Sequence, residues 1–187
     1  LAQLTFQKEL GSMLQKTTRI EKLTQQLAKA LALDPKQQET AARVAKLCKA
    51  DLATDMVVEM TALQGIMGRY YARLSGEPEA VADGIFEHYL PRSADDMLPT
   101  QFPATVVGIA DRLDSIIGLF AVGLAPTANK DPFALRRAAL GLNQILIGLD
   151  LEFDLQTALQ LAAESYDLEI SDEILQNALE FIKGRLH

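Results

Sequence analysis

The chain has 187 residues, 49% of them hydrophobic and 23% charged, with a formal net charge of −7. That length and apolar content suffice for one sizeable core or two small ones and exclude global disorder; the acidic balance excludes nucleic-acid binding through bulk positive charge. One cysteine and two histidines are too few for a disulfide framework, a structural zinc cluster or a nucleophilic hydrolase of the Ser-His or Cys-His type.

In chain order, Phe6, Leu10, Met13 and Leu14 recur at helical spacing, and the pattern resumes through Ile20, Leu23, Leu27 and Leu31. Asp34-Pro35 supplies a cap and a first-turn proline, and opens a helix predicted to run towards Met60. Gly65 and Gly68 flank a short amphipathic segment that ends at Ser75-Gly76. Glu77-Pro78 starts another helix, which carries Val81, Ile85, Phe86 and Tyr89 and stops at Pro91. A connector with three prolines leads to the most apolar stretch, residues 104–123. There Val106, Ile109, Leu113, Ile116, Ile117 and Phe120 fall on one helical face, while Asp111 and Asp114 share the other with Gly108, Ser115 and Gly118. A helix of that kind is expected to be packed on both sides, which takes two carboxylates away from water and requires partners for them.

After a loop, Asp131 is the predicted N-cap of a helix that carries Arg136 and Arg137, and two more helices are predicted at about 154–166 and 171–186. No alternating run is long enough for a sheet, so the expected fold class is all-α. No uncharged apolar run reaches the ~18 residues needed to cross a bilayer, and the N-terminus has no signal-peptide pattern. With a single Cys48, read as a small packed residue, this points to a cytoplasmic protein. Because it starts on Leu1 and stops within a helical pattern, the chain is expected to be a piece of a longer protein.

The order Ala50-Asp51, Glu87-His88 and Ala110-Asp111-Arg112-Leu113-Asp114 is similar to an HD domain, an all-α family in which a first His, a His-Asp pair and a distant Asp ligate a divalent metal. That resemblance places Asp51 and Asp111 at ligand positions. Ala50 stands where the pair's histidine belongs, however, and no histidine precedes it. Two carboxylates are too few to hold a catalytic transition metal. Asp51 and Asp111 are therefore expected to be vestigial positions that cap or pair with Lys49, Arg112 or backbone N–H groups, with no catalytic residue and no metal. His88 is expected to be a helix C-terminal residue that engages the last carbonyls.

The segments KADLATDMVVEMTALQGIMGRYYA, EHYLPR and GIADRLDSIIGLFAVGLAPTANKDPFALRRAALG closely resemble the β subunit of the bacterial two-subunit glycyl-tRNA synthetases. The likeness covers about residues 10–149, and the tail is similar to the start of the anticodon-binding helical domain that follows in that family. It implies an HD-like helical domain over 1–149 and the truncated start of a second helical domain over 150–187. In the family the whole enzyme joins glycine to its tRNA with ATP and Mg2+; the α subunit carries the aminoacylation site and the β subunit mainly supplies tRNA recognition. The implied partners are the α subunit, glycine tRNA and the remaining β-subunit domains, with no cofactor in this portion.

Contacts to RNA would then come from local patches, for which Lys46, Lys49, Arg69 and Arg73 are the candidates; Arg69 and Arg73 are four apart beside Tyr70 and Tyr71. Arg136 and Arg137 are adjacent and cannot share a face, so one of them is expected to pair with Asp111 or Asp114. The competing readings are an active HD-type metal-dependent phosphohydrolase and a structural helical spacer.

Overall fold

A computed structural model describes residues 1–186. Among them nine α-helices and one short hairpin form an all-α fold: α1 (Met13–Ala30), α2 (Pro35–Leu47), α3 (Asp55–Glu59), α4 (Ile66–Leu74), α5 (Glu79–Glu87), α6 (Phe102–Ala121), α7 (Leu135–Gly148), α8 (Leu155–Ala163) and α9 (Asp172–Lys183).

Three boundaries differ from the periodicity, each for a local reason. Phe6 is not helical: β1 (Thr5–Gln7) pairs back on β2 (Gly11–Ser12). Ser12 then starts α1 with a capping box, its side chain accepting from Gln15 N while the Gln15 side chain accepts from Ser12 N. The helix predicted from Pro35 towards Met60 breaks after Leu47. Thr54 donates both its backbone N–H and its hydroxyl to Asp51 O, which diverts the backbone into a 3-10 turn over Ala50–Ala53. Finally, α7 starts at Leu135 rather than beside Pro132, with Ala134 at its N-cap; Asp131 nevertheless accepts from the N–H groups of Leu135 and Arg136.

α6 is the axis of the molecule. Of its residues, Val106, Val107, Ile109, Ala110, Leu113, Ile116 and Ile117 are fully buried, and α1, α2, α5, α7, α8 and α9 all pack on it. Its small residues let neighbours come close. A Cβ at Gly118 would lie 2.1 Å from Tyr166 Oη, the hydroxyl that donates to Asp114 O at 2.7 Å. Ala158, Leu159, Ala162, Ala178, Leu179 and Ile182 of α8 and α9 belong to the same core as α1, α2 and α6. No helix among the described residues is long and apolar enough to cross a membrane.

Candidate functional site

The acidic face of α6 meets the cations of α1 and of the end of α2. Lys16 lies on the apolar stripe of α1, between Met13 and Ile20, and is buried. Its ammonium reaches Asp111 Oδ1 at 3.0 Å, Asp114 Oδ2 at 2.8 Å and Ser115 Oγ at 2.7 Å. Arg19, one turn on, donates from Nε to Asp114 Oδ1 at 2.7 Å and from Nη1 to Leu10 O at 3.2 Å, and stacks over the Tyr166 ring at 4.2 Å. Asp114 is thus buried between two cations.

Asp111, its side chain 16% exposed, is held on its second oxygen by Lys49 Nζ at 2.6 Å. The Lys49 ammonium also lies 2.9 Å from His88 Nε2 and over the Tyr89 ring. His88 caps the C-terminus of α5, and its Nδ1 is 2.7 Å from Ile85 O. A carbonyl only accepts, so Nδ1 carries the proton and Nε2 presents a lone pair to Lys49. Burial and the Lys49 charge accordingly hold His88 well below its ordinary value of 6.5. Burial alone would raise the Asp111 carboxyl, but Lys16 and Lys49 outweigh it and hold the group well below 3.8. Lys49 itself is raised, because Asp111 outweighs the burial that opposes its charge.

The His88 and Asp111 shifts have one sign in pH, opposite to that of Lys49, whose contribution is lost only as the pH rises above 10.5. In the window below 6.5 the unfolded chain protonates His88 while the folded protein does not. Stability is therefore complete above that pH and falls on acidification, by up to about 1.4 kcal/mol per pH unit. Asp111 contributes in the same direction only below 3.8. Urea titrations between pH 7.5 and 4.5 are expected to show this decline, and His88→Gln is expected to flatten it. An unchanged slope in that variant would assign the proton elsewhere.

Arg112 has turned away from both acids. Its Nη1 donates to the carbonyls of His88 and Gly108, and its Nη2 to those of Tyr89, Leu90 and Pro91, at 2.9–3.1 Å. The guanidinium thereby closes the C-terminal end of α5, where the carbonyl dipoles favour a cation. Burial lowers it to about 10, which leaves it charged at neutral pH. Gly108 admits it: a Cβ there would lie 2.8 Å from His88 O and 3.0 Å from Arg112 Nη1.

Asp51 is separate from this cluster. Its Oδ2 accepts from Gly65 N at 2.7 Å and Gly68 N at 3.0 Å, which puts a buried carboxylate at the start of α4, where Gly65 adopts φ +77°. The residues at the two HD positions therefore do not fit a shared metal. Asp51 is engaged by backbone, and both oxygens of Asp111 are engaged by lysines. Among the described residues no three His, Cys, Asp or Glu side chains gather as ligands.

Two sequence expectations are corrected. Lys49 is 3% exposed and ion-paired, so it cannot join Lys46 in a surface patch; Lys46 alone is exposed. Arg136 and Arg137 do not partner the acids of α6. Arg136 donates to Thr127 O, and Arg137 is exposed, because Lys16, Arg19 and Lys49 already occupy those carboxylates. Arg69 and Arg73 do share a face, where both meet Asp83 of α5 and Arg73 also meets Glu79; Arg69 lies over the Phe86 ring. Cys48 is buried, and desolvation pushes its thiol up to about 12. Lys16 and Arg19 join the site without a motif to mark them; the one signal in the sequence is a lysine in step with Met13, Ile20, Leu23 and Leu27, which implies a buried charge.

Residues 1–187 match the family described as glycyl-tRNA synthetase beta subunit. Similar proteins include glycine–tRNA ligase beta subunits from Picosynechococcus, 49% identical over 89% of this chain and 23% of the relative; from Coxiella burnetii, 44% identical over 100% and 27%; and from Myxococcus xanthus, 45% identical over 100% and 28%. The chain spans about a quarter of the length of these relatives.

Proposed function

The chain belongs to the glycyl-tRNA synthetase beta subunit family, and from that premise we propose that it is a tRNA-interacting, non-catalytic portion of a glycine–tRNA ligase. In this reading it supports ATP-dependent glycylation of tRNA carried out with the α subunit in the cytoplasm. ATP and Mg2+ serve the whole enzyme, and the partners are the α subunit, glycine tRNA and the rest of the β subunit. The observation that supports the non-catalytic part is the Lys49 ammonium between His88 Nε2 and Asp111 Oδ2. A metal-dependent hydrolase needs a cation with open coordination positions at such a place. Here the protein's own lysines occupy those groups, Lys49 the imidazole lone pair and one carboxylate oxygen and Lys16 the other oxygen.

Lys46, Arg69 and Arg73 are the surface cations assigned to RNA. The pairs that hold Arg69 and Arg73 are exposed or half-exposed, and such pairs are worth only about 0.2–1 kcal/mol, so a phosphate can displace Asp83 and Glu79. In the complete enzyme, changing all three to Ala is expected to raise KM for glycine tRNA about tenfold and to leave tRNA-independent ATP–pyrophosphate exchange unchanged. Unchanged KM would remove these residues from the interface and favour the spacer reading. Mn2+-dependent release of phosphate, abolished by Asp111→Asn, would replace this reading with the phosphohydrolase.

A further inference from the structure

We propose that the cleft between the turn after α5 and the first turn of α7 binds a phosphate group and, resting on the tRNA reading above, that this phosphate belongs to the tRNA backbone. The cleft has a volume of about 300 Å³, and its wall includes His88, Arg92, Asp111, Arg112, Ser115 and Arg137. Among its lining side chains three arginines (Arg92, Arg112, Arg137) meet one carboxylate (Asp111), and Lys16 and Lys49 stand behind that carboxylate on its two oxygens. The lining is therefore net positive by two, three arginines less one aspartate, in a chain whose net charge is −7. Arg112 is the buried member of this set, and among the described residues no carboxylate pairs with it, so a bound anion offsets its charge.

Asp111 is the carboxylate in the wall, and it does not reverse this sign. Lys16 holds one of its oxygens and Lys49 the other, so the floor is net positive. The geometry also excludes a metal as the natural occupant, since the same two oxygens and the His88 lone pair are already engaged. Arg137 sits at the mouth, exposed, and among the described residues it has no ion-pair partner. Its planar fork suits two phosphate oxygens. Arg92, opposite, is held by Asp96 in an exposed i,i+4 pair that a stronger anion can displace.

The test uses the complete enzyme carrying Arg137→Glu, with Arg137→Lys as the variant that keeps the charge and Lys29→Glu as the same charge change outside the cleft. Arg137 is exposed, so the thermal midpoint is expected to stay at the wild-type value in both Arg137 variants. Glycine tRNA is expected to bind about tenfold more weakly to Arg137→Glu, with the log–log salt slope smaller by about 1, about threefold more weakly to Arg137→Lys, which keeps the charge and loses the fork, and normally to Lys29→Glu. Equilibrium dialysis of labelled inorganic phosphate distinguishes the source. Saturable phosphate binding lost in Arg137→Glu, with tRNA affinity unaltered, would keep the anion site and overturn its assignment to the tRNA. If neither tRNA affinity nor phosphate binding differs between wild type and Arg137→Glu, the site is overturned. The tRNA reading then still stands or falls separately on the Lys46, Arg69 and Arg73 variant.

Discussion

Replacing Arg112 by Met is expected to cost about 4 kcal/mol of folding stability, the scale of several buried carbonyls left without a donor. Methionine fills the volume but returns no donors. The carbonyls of His88, Tyr89, Leu90 and Pro91, clustered where α5 ends, would lose their shared partner, at about 1–3 kcal/mol for each that stays dry. Water entry relieves part of that, which sets the total near the lower end of a simple sum. For a chain of this length the thermal midpoint would fall by about 8–16 °C. Arg112→Lys keeps a charge and three donors without the planar fork, and is expected to recover less than half of the loss. Arg92→Met, whose guanidinium is exposed and paired with Asp96, is expected to cost under about 1 kcal/mol. Thermal or urea denaturation checks all three, and a loss at Arg112→Met no larger than at Arg92→Met would show that the clamp at the end of α5 is dispensable.

How much of this was legible in the sequence depends on the range of the physics involved. The spacing of Ile20, Leu23 and Leu27 and the Asp34-Pro35 start are local signals, and they fixed α1 beyond its first turn and the start of α2. The apolar and acidic faces of α6 likewise announced a helix packed all round, and the structure buries it so. What the sequence could not supply is pairing between elements distant in the chain. Asp114 lies 95 residues from Arg19 and 98 from Lys16. The adjacent arginines of the next helix, Arg136 and Arg137, are the choice the sequence offers for its partners, and the structure does not make it. The same holds for Arg112: its spacing places it beside two acids, and only the tertiary course of the turn after α5 shows four carbonyls converging on it. Asp51 illustrates a third case, where a carboxylate at a family ligand position serves backbone N–H groups of a helix it precedes by 14 residues.

The second large effect is expected at Asp114. Asp114→Asn keeps the shape of the side chain and leaves the backbone carbonyl that accepts from Tyr166 Oη in place, so it isolates the charge. Lys16 and Arg19 are 3% and 9% exposed. Without the carboxylate, Arg19 keeps only the carbonyl of Leu10 and the face of Tyr166, and Lys16 must share Asp111 with Lys49. An uncompensated buried cation costs about 3–5 kcal/mol, and Asp114→Asn is expected at about 4. Asp111→Asn is expected to cost about half as much, because its side chain is 16% exposed and water can solvate the lysines that remain. The decisive comparison adds Lys16→Met to each variant. Combined with Asp114→Asn it is expected to recover more than 1 kcal/mol relative to additivity, since the pair shares one buried contact. Simple additivity would mean that Lys16 relaxes into solvent when Asp114 is lost, and that the buried network is held by Arg19 and Asp114 alone.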